Sequence, residues 1–269
     1  MPDYSLRVSE SEVRRYLFMA EQAQKLEGDL WALAGIAPGA VIADVGCGPA
    51  AVAVVMSRIV GPKGRVIGVD RDESALAAAR QVTKEAGAAN LQLRLGTATS
   101  TGLEPSSLDV AVLRHVLAHN GGKEQEIVRH MASLVRPKGA VYLVDIDLTA
   151  ARTLDDDPEL LDLGERYNDF HRGLGNDTSV GLRLGKLVVG AGLELDRHVG
   201  VYQIVSLVPG IRPPAWAARE AMLAAGGITP QDVSRWQAAF ERLDKRALRP
   251  TLFIPLFIAI GRRRTEQSI

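Results

Sequence analysis

Two histidines four residues apart, His115 and His119, follow an apolar stretch that ends in Arg114. Imidazole titrates near neutral pH, so either ring could take a proton from a phenol, enol or hydroxyl that is turning into a nucleophile. On a helix that spacing sets both rings on one face. It also matches half of a metal site, but no third ligand follows at an obvious spacing, and no metal is expected. Asp147, just past the run "AVYLVDI", and His171, set among Tyr167, Asn168 and Arg172, complete the candidate catalytic groups. His130 reads as a solvated residue and His198 as a structural one.

A ligand site is written upstream, in "VIADVGCGPA" (residues 41–50). An apolar run reaches Asp44, and the chain then bends through Gly46-Cys47-Gly48-Pro49. Glycine allows a sharp bend and lets a ligand come into contact with the backbone. The helix that follows offers free N–H groups and a partial positive charge. A dinucleotide needs G-x-G-x-x-G at such a bend, and Ala51 stands at the third position. A carboxylate two residues before the first glycine is awkward beside a pyrophosphate. It suits an ammonium group.

These groups need strands and helices to hold them. Short apolar runs at 41–45, 65–70, 91–95, 108–113 and 140–146 alternate with helical stretches after Ala51, Glu73 and Lys123. Asp72 is placed to cap the second of these helices. Strand–helix alternation of this kind means parallel strands with crossover helices. Two further strands, about 193–206 and 251–260, complete an α/β, doubly wound, mostly parallel seven-stranded sheet with helical cap insertions. Pro255, lacking an N–H, predicts a bulge or an edge position. Residues 1–34 read as a helical lead-in or lid: two helices broken near Gly28, a stripe of Val13, Leu17, Ala20, Gln24, Leu30 and Leu33, and a capping box from Ser9 to Glu12. The core runs over 35–147, with a lid insertion at 148–180. It continues over 181–208, a helical cap insertion follows at 209–250, and the last strand and tail lie at 251–269. Trp216, Met222 and Trp236 in the second insertion suit either a pocket for a partly apolar acceptor or a homodimer interface.

The motif "ADVGCGPA" resembles the first motif of class I S-adenosylmethionine-dependent methyltransferases, D/E-x-G-x-G-x-G, with Ala50 at the third glycine. The resemblance continues in order through Asp70, "LGTATSTGL", "LDVAVLRHVLAH" and "LVRPKGAVYLVDID", over about residues 35–147 and the final strand. It implies a Rossmann-like fold and S-adenosylmethionine as cofactor. It implies that Asp44 and the backbone of Gly46, Cys47, Gly48 and Pro49 meet the methionine part. Asp70, with Arg71, would meet the ribose hydroxyls, and Gly96, Thr97 and Ala98 the adenine. Thr97 replaces the acidic residue usual there. Arg114 and His115 would close the site from the fourth strand. The acceptor expected is a small molecule like those of the quinone and natural-product branch. Two rivals are an NAD-dependent oxidoreductase and a relative that keeps the cofactor without methylating. None of the five tyrosines has a lysine four residues on, as the catalytic pair of the first would need.

The bulk numbers agree with a small-molecule enzyme. Lys+Arg and Asp+Glu are both 32, so nothing favours a nucleic-acid partner. The Asn/Asp-Pro-Pro-aromatic run of base methylation is replaced by "RHVLAH". The single cysteine, Cys47, allows no internal disulfide and fits a reducing compartment. The polar N-terminus lacks a signal-peptide core, and no 18-residue apolar run exists, so a cytoplasmic protein with no membrane span is expected.

Overall fold

Apolar residues of both parities along each central strand bury both faces of the sheet, which is what a parallel sheet covered by helices requires. A computed structural model describes residues 10–154, 157–206 and 208–265. The elements are α1 (Glu10–Ala34), β1 (Val41–Val45), α2 (Ala51–Val60), β2 (Arg65–Asp70), α3 (Glu73–Glu85), β3 (Leu91–Leu95), β4 (Leu108–Arg114), α4 (Glu124–Leu134), β5 (Val135–Ile146), β6 (Arg152–Leu154), α5 (Pro158–Gly173), α6 (Leu184–Gly190), β7 (Glu194–Ser206), α7 (Pro214–Ala217), α8 (Arg219–Ala224), α9 (Pro230–Asp244) and β8 (Thr251–Arg262). The sheet order is β3-β2-β1-β4-β5-β8-β6, with β7 along the other side of β8. Strands β1 to β5 pair in parallel, and β8 runs antiparallel to β5, β6 and β7. The strand order reverses between β1 and β4, and ligands bind beyond the carboxyl ends of the strands at such a point.

The α/β doubly wound fold is as expected, with one strand more than the seven anticipated. The addition, β6, is three residues long, too short for any periodicity to announce it. Strand β8 is interior, not an edge. Pro255 falls where its partner changes from β5, paired up to Leu256, to β6, paired from Phe253. The one residue without an N–H thus sits between two partners.

One helix, α1, runs unbroken through Gly28. A glycine inside a helix costs about 1 kcal/mol against alanine. The buried stripe Ala20, Ala23, Glu27, Trp31 and Ala34, which packs the helix onto the sheet, outweighs that. The expected stripe was rotated: Leu17 and Leu33 are exposed. Ser9 lies outside the described residues. Asp72 caps α3 as expected, accepting from Ser74 N at 2.8 Å.

Two buried clusters fill the faces of the sheet. Ile42, Val110, Val112, Tyr142 and Ile258 pack toward α1 and α2, and Ala111, Leu113, Val141 and Leu143 pack with Ile127, Met131 and Val188 of α4 and α6. A third joins the two insertions into one helical cap: Leu160, Leu163 and Tyr167 of α5 pack with Met222, Trp236, Phe240 and Leu243. Asp157 and Asp162, at the start of α5, tie it to Arg242 (2.8 Å) and Arg235 (3.2 Å) of α9. Trp236 and Met222 are wholly buried in this core. No helix among the described residues is long and apolar enough to cross a membrane.

Candidate functional site

The bend after β1 has no room for a side chain at Gly46. Gly46 has φ +75°, and a Cβ there would lie 2.4 Å from Cγ2 of Val116, which packs down from the end of β4. Gly48 has φ +54° and lies under the Tyr16 ring of α1. Ala50, at the third glycine position, also takes a left-handed conformation, φ +61°, a strain of about 1–2 kcal/mol for a residue with a Cβ. The amides of Gly46 and Cys47 both donate to Val69 O, at 2.7 and 3.1 Å. The next amide, Gly48, donates to Asp70 Oδ2 at 2.8 Å, while Asp72 N donates to Oδ1 at 3.0 Å. Asp70 therefore ties the bend to β2 with one amide on each oxygen, and each oxygen keeps acceptor capacity for a ligand hydroxyl. Burial pushes the Cys47 thiol up, with Asp44 and Asp70 adding to it. Such a thiol is inert, and Cys47 and Pro49 are both buried.

Asp44 is the buried acid at the end of β1. Burial raises its pKa to about 7; the Arg114 charge works against that rise and Asp70 adds to it. Arg114 is itself engaged. Its Nη2 and Nε donate to Glu27 Oε1 at 3.0 and 3.2 Å, and the other Glu27 oxygen accepts from Trp31 Nε1 (3.2 Å) and Tyr142 OH (3.1 Å). Glu27 is wholly buried. Sequence reasoning missed it, because a glutamate among the charges of a 25-residue helix reads as solvated. The signal that could have found it was its place four residues after Ala23 and four before Trp31.

The end of β4 carries the histidines. His115 is left-handed, φ +56°, and its N–H donates to Val144 O at 2.8 Å. Its Nδ1 lies 3.9 Å from Oδ1 of Asp145. Burial lowers its pKa, with Arg114 also lowering it and Asp145 opposing. The segment after it is a single 3₁₀ turn, Leu117–His119, so the four-residue spacing does not align the two rings on a helix face. His119 turns instead to the cap, its ring 4.8 Å from that of His171. Tyr167 and Phe170 lie edge-on to His171 at 4.4 and 5.5 Å, and Asn176 Nδ2 lies 2.9 Å from its Nδ1. Burial lowers His119 to about 4 and His171 to about 3, so both are neutral at pH 7. His171 is a fully buried link between cap and sheet.

Other expected residues are placed as follows. Asp147 accepts from Thr149 N (2.9 Å) and Thr149 Oγ1 (2.5 Å), which makes it a turn-former. Gly96 N donates to Asp70 O at 2.9 Å. Thr97 is exposed, bridges to Ser100 and has its hydroxyl 3.2 Å from that of Thr99; Ala98 beside it is half-buried. Arg71 is exposed at the same strand edge, and its charge reaches His119. His130, expected to be solvated, is half-buried. Its Nε2 lies 2.9 Å from Thr101 Oγ1 and accepts from Thr101 N at 3.2 Å, pinning the loop after β3. His198 has the structural place expected, against Gly181 O.

Asp44, the bend, Asp70, residues 96–98 and His115 thus share the carboxyl edge of β1 to β4. A tight backbone cradle between two carboxylates fits a ligand with an ammonium at one end and a diol at the other. The family model described as "Methyltransferase domain" matches residues 36–180. The chain is 29% identical over 123 residues to the arsenite methyltransferase of Halobacterium salinarum, covering 46% of this chain and 31% of the relative. It is 30% identical over 107 residues to the demethylmenaquinone methyltransferase of Listeria welshimeri, covering 40% and 45%. The matches thus span less than half of either relative. Among solved structures, a SAM dependent methyltransferase from Aquifex aeolicus shares the fold at a TM-score of 0.52 and 16% identity, over 69% of this chain and 90% of that one. The chain belongs to the class I S-adenosylmethionine-dependent methyltransferase family.

Proposed function

We propose that the chain transfers a methyl group from S-adenosylmethionine to a small, partly apolar acceptor, with a histidine at the end of β4 as proton acceptor. The observation that carries this reading is the gathering of Asp44, Asp70 and His115 at one strand edge around a glycine bend too tight at Gly46 for a side chain. S-adenosylmethionine supplies a methyl group already activated by its sulfonium charge. The chain's own residues do the rest. The Asp44 carboxylate takes the ammonium, and the bend from Gly46 to Pro49 gives backbone contact. Asp70 takes the two ribose hydroxyls, and the backbone of Gly96, Thr97 and Ala98 borders the base. Arg114, held by Glu27, keeps the region of Asp44 positive enough for the carboxylate to ionise. Binding and orientation do most of the work, because an aligned nucleophile within about 3–3.5 Å of its target reacts without further help. Tyr16 of α1 and the His119–His171 contact of the cap close the site against water. The lone cysteine supports a cytoplasmic setting.

Isothermal titration with S-adenosylmethionine and S-adenosylhomocysteine, with NADH as control, tests the cofactor. Micromolar binding lost in Asp70→Ala supports the reading. Binding of NADH alone would overturn it. Bound cofactor with no product across a panel of phenols, enols and amines would point to a relative that keeps the cofactor without transfer.

A further inference from the structure

Asp145, the buried acid beside His115, has no role in the methyl-transfer reading above. It is 1% exposed and held rigidly: Oδ2 accepts from Ala118 N at 3.1 Å and Oδ1 from Ile146 N at 3.0 Å. One of these tethers comes from β5 and the other from the turn that carries His119. Across from it, Nδ1 of His115 is buried and has no hydrogen-bond partner among the described residues. The gap between Nδ1 and Oδ1 is 3.9 Å, and 23% of the His115 side chain is still accessible. The ring therefore has one nitrogen turned toward a fixed carboxylate while part of it reaches solvent. The left-handed backbone at His115 is the kind of strain, about 1–3 kcal/mol, that persists at functional sites when the surroundings enforce it. Here Val144 O fixes the amide, and Val116 is locked against the bend at Gly46.

We propose that Asp145 is the positioning residue for His115: its carboxylate takes Nδ1–H of the neutral ring and so selects the tautomer with a free lone pair at Nε2. This rests on the methyl-transfer reading for its purpose. In the proton step, the X–H bond of the acceptor breaks and its electron pair stays on X. The proton bonds to Nε2. The imidazolium that forms keeps Nδ1–H on Asp145 and later gives the Nε2 proton to water. The pairing closes by a small rotation of the His115 side chain, since such contacts are often long before ligands bind. The charged groups around His115 are Arg114 on β4, Asp145 on β5, Glu27 on α1 and, past the turn, His119 when protonated.

Long-range proton–nitrogen correlation spectra of the full chain labelled with ¹⁵N histidine test this, with His115→Gln assigning the signal. At pH 8 the wild type is expected to show the Nδ1–H tautomer at His115. Asp145→Asn is expected to shift the ring toward Nε2–H and to lower its titration midpoint by about one unit, because an opposing charge is lost. A wild-type ring in the Nε2–H form would overturn the proposal without any variant, and so would a spectrum and midpoint that Asp145→Asn leaves unchanged. Titration of the same wild-type sample with S-adenosylmethionine reads the cofactor separately, so failure of the methyl-transfer reading and failure of this pairing are told apart.

Discussion

Arg114, the last residue of β4, and Glu27, in the middle of α1, form a buried ion pair at 3.0 Å across 87 residues of chain. The pair nails the first helix to the end of the strand that borders the bend. Trp31 and Tyr142 complete the hydrogen bonding of the glutamate, so no oxygen of the acid is left bare. Because Arg114 also acts on Asp44, the docking of α1 reaches the ligand site electrostatically.

Removing one partner of such a pair leaves a buried charge. Glu27→Ala is expected to destabilise the fold by about 3–5 kcal/mol, read as a lower midpoint of urea denaturation. Glu27→Gln keeps one acceptor oxygen for Arg114 and an amide that can donate to Tyr142 OH, losing the bond from Trp31, and should cost less. Equal stability of Glu27→Ala and wild type would mean that Arg114 finds another partner.

Gly46→Ala meets both a left-handed backbone and the Val116 methyl. A loss of about 2–4 kcal/mol is expected, with cofactor binding lost as well. Adding Val116→Ala removes the methyl at 2.4 Å and should restore part of the stability, since the two sites touch. Strictly additive effects in denaturation would refute the contact.

Asp44 titrates near 7 in the folded chain against 3.8 ordinarily. The folded state therefore holds more protons than the unfolded state between these values, and stability from this group falls as pH rises through that window. The cation-binding form appears over the same range. Titrations with S-adenosylmethionine should thus show affinity climbing from pH 6 to pH 8. Asp44→Asn should bind more weakly and lose that climb. A flat profile in the wild type would remove Asp44 from the ammonium site.

The buried histidines work in the other direction. His119 and His171 resist protonation in the folded chain down to about 4 and about 3, whereas unfolded histidine takes a proton near 6.5. Stability from these rings is full above pH 6.5 and is lost as pH falls toward 4. His171→Phe should shrink the loss of urea midpoint between pH 7 and pH 4.5. An unchanged slope would place the acid sensitivity elsewhere.

The sequence by itself determined what local chemistry dictates. Apolar runs broken by glycine set β1, β2, β4 and β5, and a carboxylate before two glycines marked Asp44 and the bend. Asp70 followed from the family resemblance, which sets an acidic residue at the end of the second strand. Only the tertiary structure decided which polar groups face each other across long stretches of chain. Glu27 became a buried anchor because Arg114, Trp31 and Tyr142 converge on it from three elements. His130 became a half-buried anchor of the loop after β3 because Thr101 lies against it. Asp145, inside β5, faced His115, whereas Asp147, just past the strand end, became a turn-former because the chain folds back there and brings Thr149 onto its carboxylate. The two insertions became one cap because neither could bury its apolar face alone, and that partnership leaves no trace in either stretch read by itself.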